Sequence, residues 1–301
     1  MYKMLFKKKI PFVLVIIFTI LWSCGQNADK NDSTVRRVIS LSPNITETIY
    51  ALGAENFLVG VSDFCNYPLR ARQKTRVGGL LNPNLERIIA LKPDLLLATP
   101  ASEDLAAQLA QRNIRAVLLP NDRLQDIFAT IDTLGRLFDL SRRAEKLAKT
   151  IRDSLEIFRR LAQQLPHASP EALFVLHRDP GTTRNISVIG GNTFTDDLWR
   201  MLGGRNAFES AGLKYGQLNS ESLLTMNPDL IIEFRFNQKW DEQRRRNNKK
   251  EWQNLKQLKA VKEGHIYVID GNYSLIPGPR VTLLIRDYYR ILRDYNDQRL
   301  K

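Results

Sequence analysis

The 301-residue sequence contains few side chains able to bind a metal: two cysteines and three histidines. The cysteines, Cys24 and Cys65, are too far apart for a Cys-x-x-Cys zinc site. The histidines, His167, His177 and His265, also lack the spacing that ligand histidines usually have. We therefore expect no metal site and no resident cofactor. His177 follows a predicted strand, where a structural role is the more common one.

The sequence also lacks the short motifs of the common enzyme classes. It has no G-x-S-x-G, no phosphate-binding P-loop, no H-E-x-x-H, and no G-x-G-x-x-G after a predicted strand. No nucleophile and base can be paired from the pattern. We therefore predict no catalytic residue and no enzymatic activity.

The net charge of +13 does not by itself indicate a nucleic-acid partner. The basic residues are scattered, apart from the run 239–250, KWDEQRRRNNKK, and no zinc-finger or helix-turn-helix spacing is present. That run is typical of a solvated, lysine- and arginine-rich helix. We expect no binding to nucleic acid.

The N-terminus predicts export and a lipid anchor. A basic start, MYKMLFKKK, precedes an apolar stretch over 10–22 that is shorter than the roughly 20 residues of a membrane span. Leu21 to Cys24 (LWSC) is similar to a bacterial lipobox. We expect a lipoprotein signal peptide over 1–23, lipidation of Cys24, a polar tether over 24–35, and an extracytoplasmic protein anchored to a membrane. Lipidation of Cys24 would leave Cys65 without a disulfide partner.

Strand and helix patterns alternate along most of the remaining chain, which favours α/β lobes built on parallel sheets. The alternation is interrupted by SRRAEKLAKTIRDSLEIFRRLAQQL, residues 141–165, with apolar residues at helical spacing. About 24 helical residues would span about 36 Å. We therefore predict an N-terminal lobe over 36–138, a rigid connecting helix over 139–166 and a C-terminal lobe over 167–301.

One phrase occurs in both predicted lobes. NLERIIALKPDLLL at 84–97 corresponds to NSESLLTMNPDLII at 219–232, each with Asn, then Glu two residues later, then Pro-Asp. A single long period indicates two similar lobes and not a solenoid.

These residues carry a resemblance to a known family. RVISLSPNITETIYALGAENFLVGVSDFCNYP, followed by NLERIIALKPDLLLAT, resembles the substrate-binding proteins of cobalamin, haem and ferric-siderophore ABC importers. The likeness extends over about 36–295, and the opening segment is most similar to the cobalamin (vitamin B12)-binding members. It implies two Rossmann-like lobes, a ligand cleft between them, and partners comprising a permease dimer with its ATPase.

The resemblance also implies roles for individual residues. Glu86 and Glu221 would dock one lobe each onto the permease, since a pseudo-twofold protein needs one acidic contact per lobe. The predicted ligand-binding residues are Phe64, Tyr67, Leu80, Tyr215, Asn272 and Tyr273.

The sequence leaves two alternatives for the identity of the ligand. A flat apolar macrocycle such as cobalamin or a related corrinoid suits aromatic walls with few polar contacts. The alternative is haem or a ferric siderophore, for which Arg178, Arg184 or Arg280 would supply positive charge if they point into the cleft.

Overall fold

The computed structural model describes residues 35–80, 82–166, 169–209, 212–235 and 240–300. Two lobes, each built on its own sheet, follow one another along the chain. The N-terminal sheet is wholly parallel, with strand order β3-β2-β1-β4-β5. Its elements are β1 (Val38–Ser40), α1 (Pro43–Leu52), β2 (Leu58–Val61), β3 (Thr75–Arg76), α2 (Leu85–Ala90), β4 (Leu95–Ala98), α3 (Glu103–Ala110), β5 (Arg115–Leu118) and α4 (Leu124–Leu137).

The C-terminal sheet has the order β11-β10-β6-β7-β9, with β8 paired to β6. The remaining elements are α5 (Ser141–Gln163), β6 (Glu171–His177), β7 (Ile186–Ile189), α6 (Phe194–Met201), β8 (Arg205–Asn206), β9 (Tyr215–Leu218), α7 (Ser220–Met226), β10 (Leu230–Phe234), α8 (Glu242–Glu251), α9 (Lys259–Lys262), β11 (Ile266–Ile269) and α10 (Val281–Arg299). Short 3-10 turns cover Leu69–Gln73, Pro100–Ser102 and Trp252–Leu255.

The expectation of parallel strands is wrong for part of the second sheet. Strand β7 runs antiparallel to both β6 and β9. Only the short segment 178–185 connects β6 to β7, and a parallel crossover needs a dozen or more residues. No strand was predicted over 186–189 or 215–218, so this antiparallel part was not expected from the sequence.

Side chains of the central strands alternate between the two faces of each sheet. In β4, Leu95 and Leu97 join one apolar cluster, while Leu96 and Ala98 join another on the opposite face. In β6, Phe174 packs into one cluster, while its neighbours Leu173 and Val175 pack into another cluster on the opposite face. This two-residue period is that of a strand buried on both faces.

A single apolar cluster continues from one lobe to the other. It includes Ile45 of α1, Ile151 and Leu155 of α5, Phe174 of β6 and Leu284 of α10. Full burial of each such side chain contributes about 1.5–3 kcal/mol. Because α5 and α10 are packed into this shared core, residues Val35–Lys301 form one compact unit, and every described helix and strand lies within it.

The helix predicted over 141–165 is confirmed as α5, Ser141–Gln163. The exact lobe boundaries, 36–138, 139–166 and 167–301, stay a prediction. The basic run also forms the predicted helix, α8, although its first residue lies outside the described part.

The repeated phrase has a structural explanation in both lobes. Asn84 and Asn219 each cap a helix, accepting from the N–H three residues later at 2.9 and 2.8 Å. Asp94 accepts the N–H of Arg36 at 2.8 Å, just before β1. Asp229 accepts the N–H of Glu171 at 2.8 Å, at the first residue of β6. In each lobe, the aspartate of the repeated phrase thus fixes the start of the lobe's first strand.

The signal peptide, Cys24, residues 24–34 of the tether and His167 lie outside the described residues. Among the residues that the structure does describe, no helix combines the length and apolar character needed to cross a membrane.

Candidate ligand-binding site

A cavity of about 210 Å³ lies between the two lobes. It is formed by α1 and the loop after β2 on one side, and by the segment between β11 and α10 on the other. Its lining residues are Pro43, Glu47, Phe64, Asn66, Tyr67, Asn272, Leu275, Ile276 and Arg280. The cavity therefore brings together three of the six predicted ligand-binding residues.

An ion pair crosses this cavity from lobe to lobe. Arg280 donates from Nη2 to Glu47 Oε1 at 2.5 Å and from Nε to Oε2 at 2.8 Å. Its third nitrogen, Nη1, donates to Asn272 Oδ1 at 2.6 Å. The side chains of Glu47 and Arg280 are only 2% and 12% exposed. A fork-shaped guanidinium bound on both sides in this way is fixed in direction as well as in position.

Burial and pairing act in opposite directions on Glu47. Its burial raises the pKa of the carboxyl group, while the hydrogen bonds and charge of Arg280 lower it, and the net pKa is raised. Desolvation is thus the larger effect. The ion pair is a fixed polar feature of the cavity wall and not a strong source of stability.

Two aromatic rings stand at the mouth of the cavity. Tyr67 lies against the Arg280 guanidinium, with the central carbon 3.9 Å from the ring centre. Phe64 is 61% exposed. A large exposed ring is costly to leave in water, and such rings beside a cavity are typical of ligand sites.

Local sequence places these groups. Pro43 begins α1 after the extended Ser42, a position that suits proline, so Glu47 lies one turn into the helix. On the other lobe, Gly278 precedes Arg280 in PGPR, and a Cβ at Gly278 would lie 3.5 Å from Asn44 Cα. The backbones of the two lobes therefore approach closely beside the ion pair.

The lobes are also tied together at a second place, near the start of α4. Arg123 donates from Nη2 to Asp197 Oδ1 at 2.6 Å. Asp122 pairs with Lys214 at 2.5 Å, and its carbonyl accepts the N–H of Phe194. Both lobes are thus held by polar contacts as well as by the shared core.

The other three predicted ligand-binding residues do not line this cavity. Leu80 is half-buried, although its neighbour Gly79 lies against Phe64, whose Cε2 would be 3.4 Å from an added Cβ. Tyr215 is 57% exposed on β9. Tyr273 lines a separate cavity of about 540 Å³ and donates its hydroxyl proton to Asp287. Burial, and then this hydrogen bond, raise the pKa of Tyr273 to about 12.

Two of the lining residues, Pro43 and Glu47, were not predicted for the site from the sequence. A signal was present, since Glu47 and Arg280 are opposite charges at the beginnings of the first and last helices. Nothing in their sequence separation, however, indicates that they meet.

Cys65 and His177 are both outside this cavity. Cys65 is fully buried, within 3.1 Å of the Thr46 hydroxyl and 3.2 Å of the Ser62 hydroxyl. Burial raises the pKa of its thiol, an effect that the hydrogen bonds only partly offset. His177 is exposed at the end of β6.

The two predicted docking residues occupy matching positions. Glu86 lies in the first turn of α2 and Glu221 in the first turn of α7. Both side chains are exposed, and both helices begin at a capping asparagine. Their role in docking stays a prediction.

Within the described ranges, no three histidine, cysteine, aspartate or glutamate side chains are grouped so as to hold a metal ion.

Comparison with known proteins defines the class. The chain belongs to the periplasmic binding protein family, whose sequence model matches residues 38–273. It is thus a binding protein and not an enzyme, as the sequence predicted.

Particular relatives match along most of their length. The vitamin B12-binding protein of Vibrio vulnificus (strain CMCP6) is 28% identical over 257 residues, which cover 83% of this chain and 88% of that protein. An uncharacterised ABC transporter substrate-binding lipoprotein of Bacillus subtilis, YvrC, is 26% identical, covering 89% of this chain and 91% of the relative. The crystal structure of the vitamin B12-binding protein BtuF of Vibrio cholerae superposes with a TM-score of 0.74 at 25% identity, covering 87% and 98% of the two chains.

Proposed function

We propose that this protein is the substrate-binding lipoprotein of an ABC importer, and that it captures cobalamin or a related corrinoid and delivers it to a membrane permease. The observation that carries the proposal is the cavity between the lobes, where Phe64 and Tyr67 stand beside a fixed Arg280. Aromatic walls with a few oriented polar groups suit a large, flat, mainly apolar ligand. The relatives named for vitamin B12 support the same ligand class.

The cavity of about 210 Å³ is smaller than the roughly 300–1,000 Å³ typical of small-molecule pockets. We therefore infer that the ligand rests on the exposed rings and places only an edge in the cavity. This makes Phe64, at 61% exposure, the main contact surface, with Asn272 and Arg280 binding polar groups at that edge.

Haem or a ferric siderophore is the alternative ligand. One observation favours it: Tyr67 and Arg280 lie together at the same cavity. A tyrosine can serve as an axial ligand to haem iron, and arginine pairs with carboxylates. The other arginines named for this alternative are less suitable, because Arg178 is buried in an internal network and Arg184 lines a different cavity.

The importer partners follow from the same proposal. The permease dimer, with its ATPase, would meet Glu86 and Glu221, one on each lobe. The B. subtilis relative, named as an ABC transporter substrate-binding lipoprotein, supports both this role and the lipid anchor. The anchor is proposed at Cys24, which places the protein outside the cytoplasm and tied to a membrane. Mass spectrometry of the mature chain tests the anchor, since Cys24→Ala should abolish acylation.

A titration tests the ligand. Residues 35–301 are titrated calorimetrically with cyanocobalamin, haemin and a ferric catecholate. One-to-one binding of cyanocobalamin alone supports the proposal. Binding of haemin or the catecholate alone would transfer the function to the alternative, and a Tyr67→Phe variant would then show whether the phenol holds the iron.

A further inference from the structure

Another cavity, of about 400 Å³ and separate from the two already described, lies at the carboxyl ends of β6 and β10 in the C-terminal lobe. Ligands of open α/β sheets bind at that edge of the sheet. Its lining includes Arg178, Arg235, Trp240, Asn248 and Glu251. The backbone N–H of Trp240 donates to Asp270 Oδ2 at 3.0 Å. Asp270 is two residues before Asn272 of the cavity between the lobes, so the two cavities flank the same loop.

One arginine of the 400 Å³ cavity has all of its nitrogens hydrogen-bonded within the protein. Arg178 donates from Nε to Glu233 Oε1 at 3.2 Å and from Nη1 to the Thr182 carbonyl at 2.6 Å. Its Nη2 reaches Asn248 Oδ1 at 2.5 Å and Glu251 Oε2 at 2.7 Å. Every nitrogen of this buried side chain therefore has a protein partner.

The carboxylate of Glu233 organises the network. Its Oε1 accepts from Arg178, Asn248 and Trp252, and its Oε2 accepts from Nη2 of Arg235. The side chain of Glu233 is completely buried. A carboxylate held from several sides cannot turn, so the guanidinium of Arg235 is fixed as well.

Two donors in this cavity lack a partner among the described residues. Nε of Arg235 and Nε1 of Trp240 are buried atoms with no acceptor within hydrogen-bond distance in the part of the chain that the structure describes. The two side chains are neighbours, with the guanidinium carbon of Arg235 5.7 Å from the indole ring. Buried donors without acceptors are rare in folded proteins and call for an explanation. Two of them in one cavity point to an acceptor that the described residues do not supply.

We propose that Arg235 and Trp240 form a subsite for a carboxylate or carboxamide oxygen at the periphery of the ligand. A carboxylate and a carboxamide both offer an sp² oxygen that accepts hydrogen bonds. The Nε–H of Arg235 and the indole N–H of Trp240 are fixed donors for such an oxygen. The inference rests on the proposed function for the identity of the whole ligand. The chemistry of the subsite rests only on the two donors and their cavity.

Small probes test the subsite without the whole ligand. In ¹⁵N-labelled residues 35–301, three indole N–H signals are expected, from Trp199, Trp240 and Trp252. Titration with acetate or acetamide should shift the Trp240 signal to saturation, at concentrations on the order of millimolar or above. The other two signals should stay in place, because Trp199 already donates to the Arg205 carbonyl and Trp252 to Glu233. A Trp240 signal that does not move, or drifts together with the others without saturating, would overturn the proposal. Acetate compared with acetamide shows whether charge is required.

Affinity for the whole ligand provides the second arm. Trp240→Phe keeps an aromatic ring at this position and removes the indole N–H, so its affinity for the macrocycle that the wild type binds should fall about five- to tenfold. Arg235→Gln removes the Nε donor and should weaken binding of the same macrocycle to a similar extent. Arg184→Gln is its matched control and should bind as the wild type does, since Arg184 is exposed and lines a different cavity. Unchanged affinity in Trp240→Phe would contradict the subsite. If the wild type binds neither cyanocobalamin nor haemin, the proposed function fails, and the probe titration still decides the subsite.

Discussion

Glu47 of the first helix and Arg280, the residue before the last helix, form a two-pronged ion pair across the lobes, with N–O distances of 2.5 and 2.8 Å. These residues are 233 positions apart in the chain. The pair forms one wall of the proposed binding cavity and joins the lobes at the same point. It therefore links the stability of the protein to the geometry of its site.

Removing Arg280 should destabilise the protein in a pH-dependent way. In Arg280→Ala the buried carboxylate of Glu47 loses its partner, which should lower the free energy of unfolding by about 3 kcal/mol at pH 7. Burial then acts alone on Glu47 and raises its pKa further above the usual 4.5. Between these two pKa values the folded chain holds a proton that the unfolded chain has released. The contribution of Glu47 to the stability of this variant is therefore fully present below the unfolded pKa and is lost as pH rises through the folded pKa.

Urea unfolding of residues 35–301 at pH 7 and near pH 4.5 checks this. The loss in Arg280→Ala should be clearly smaller at the lower pH. Adding Glu47→Gln should recover part of the stability at pH 7, since no charge is then buried. Arg286→Ala is the control, because its pair with Asp287 is partly exposed and should contribute under about 1 kcal/mol. An equal loss for Arg280→Ala at both pH values would show that Glu47 does not titrate as described.

The thiol of Cys65 should be unreactive in the folded protein. It is fully buried, and burial raises its pKa, so little of the reactive thiolate forms near neutral pH. Residues 35–301 contain no other cysteine. A thiol reagent should therefore label the native protein slowly and the urea-unfolded protein at once, as followed by absorbance. Fast labelling of the native state would mean that the pocket around Thr46 and Ser62 opens readily.

Truncating the exposed ring of Phe64 should weaken ligand binding and leave the fold intact. Phe64→Ala removes a side chain that is 61% exposed, so its effect on the free energy of unfolding should be within about 0.5 kcal/mol. The affinity for the macrocycle should fall about tenfold, the typical worth of a stacked ring. Leu69→Ala is the control, because Leu69 is 72% exposed and does not line the cavity. Calorimetry measures the ligand affinity of both variants. Equal affinities of Phe64→Ala and Leu69→Ala would contradict the proposed contact.

Charge reversal at Glu86 and Glu221 should separate delivery from capture. The double variant Glu86→Arg/Glu221→Arg should lose uptake in cells, since both lobes would then present the wrong sign to the permease. Ligand affinity in solution should be unchanged, because neither residue lines the cavity between the lobes. Glu145→Arg, at an exposed position of the connecting helix, is the matched control and should transport normally. Loss of ligand binding in the double variant would contradict the assignment of Glu86 and Glu221 to permease docking.

Much of the fold was predictable because local patterns determine it. The connecting helix, the parallel strands and the repeated Asn-x-Glu and Pro-Asp positions all follow from short-range periodicity and capping. The antiparallel strands were missed since ISVI and YGQL are short, and their pairing depends on the loop that joins β6 to β7.

The site was less predictable for a physical reason. Phe64, Tyr67 and Asn272 converge at the cavity, but Tyr273 turns to Asp287 on α10 and Tyr215 lies on an edge strand. Arg235 and Trp240 were not selected, because their significance depends on how Glu233 engages neighbouring donors. Such assignments require tertiary contacts that no sequence spacing encodes.

The most direct test of corrinoid binding is the calorimetric titration of residues 35–301 with cyanocobalamin, with haemin run in parallel. The proposed function predicts one-to-one binding of cyanocobalamin that weakens in Phe64→Ala and Trp240→Phe. No heat with cyanocobalamin at concentrations at which haemin binds would contradict the corrinoid assignment.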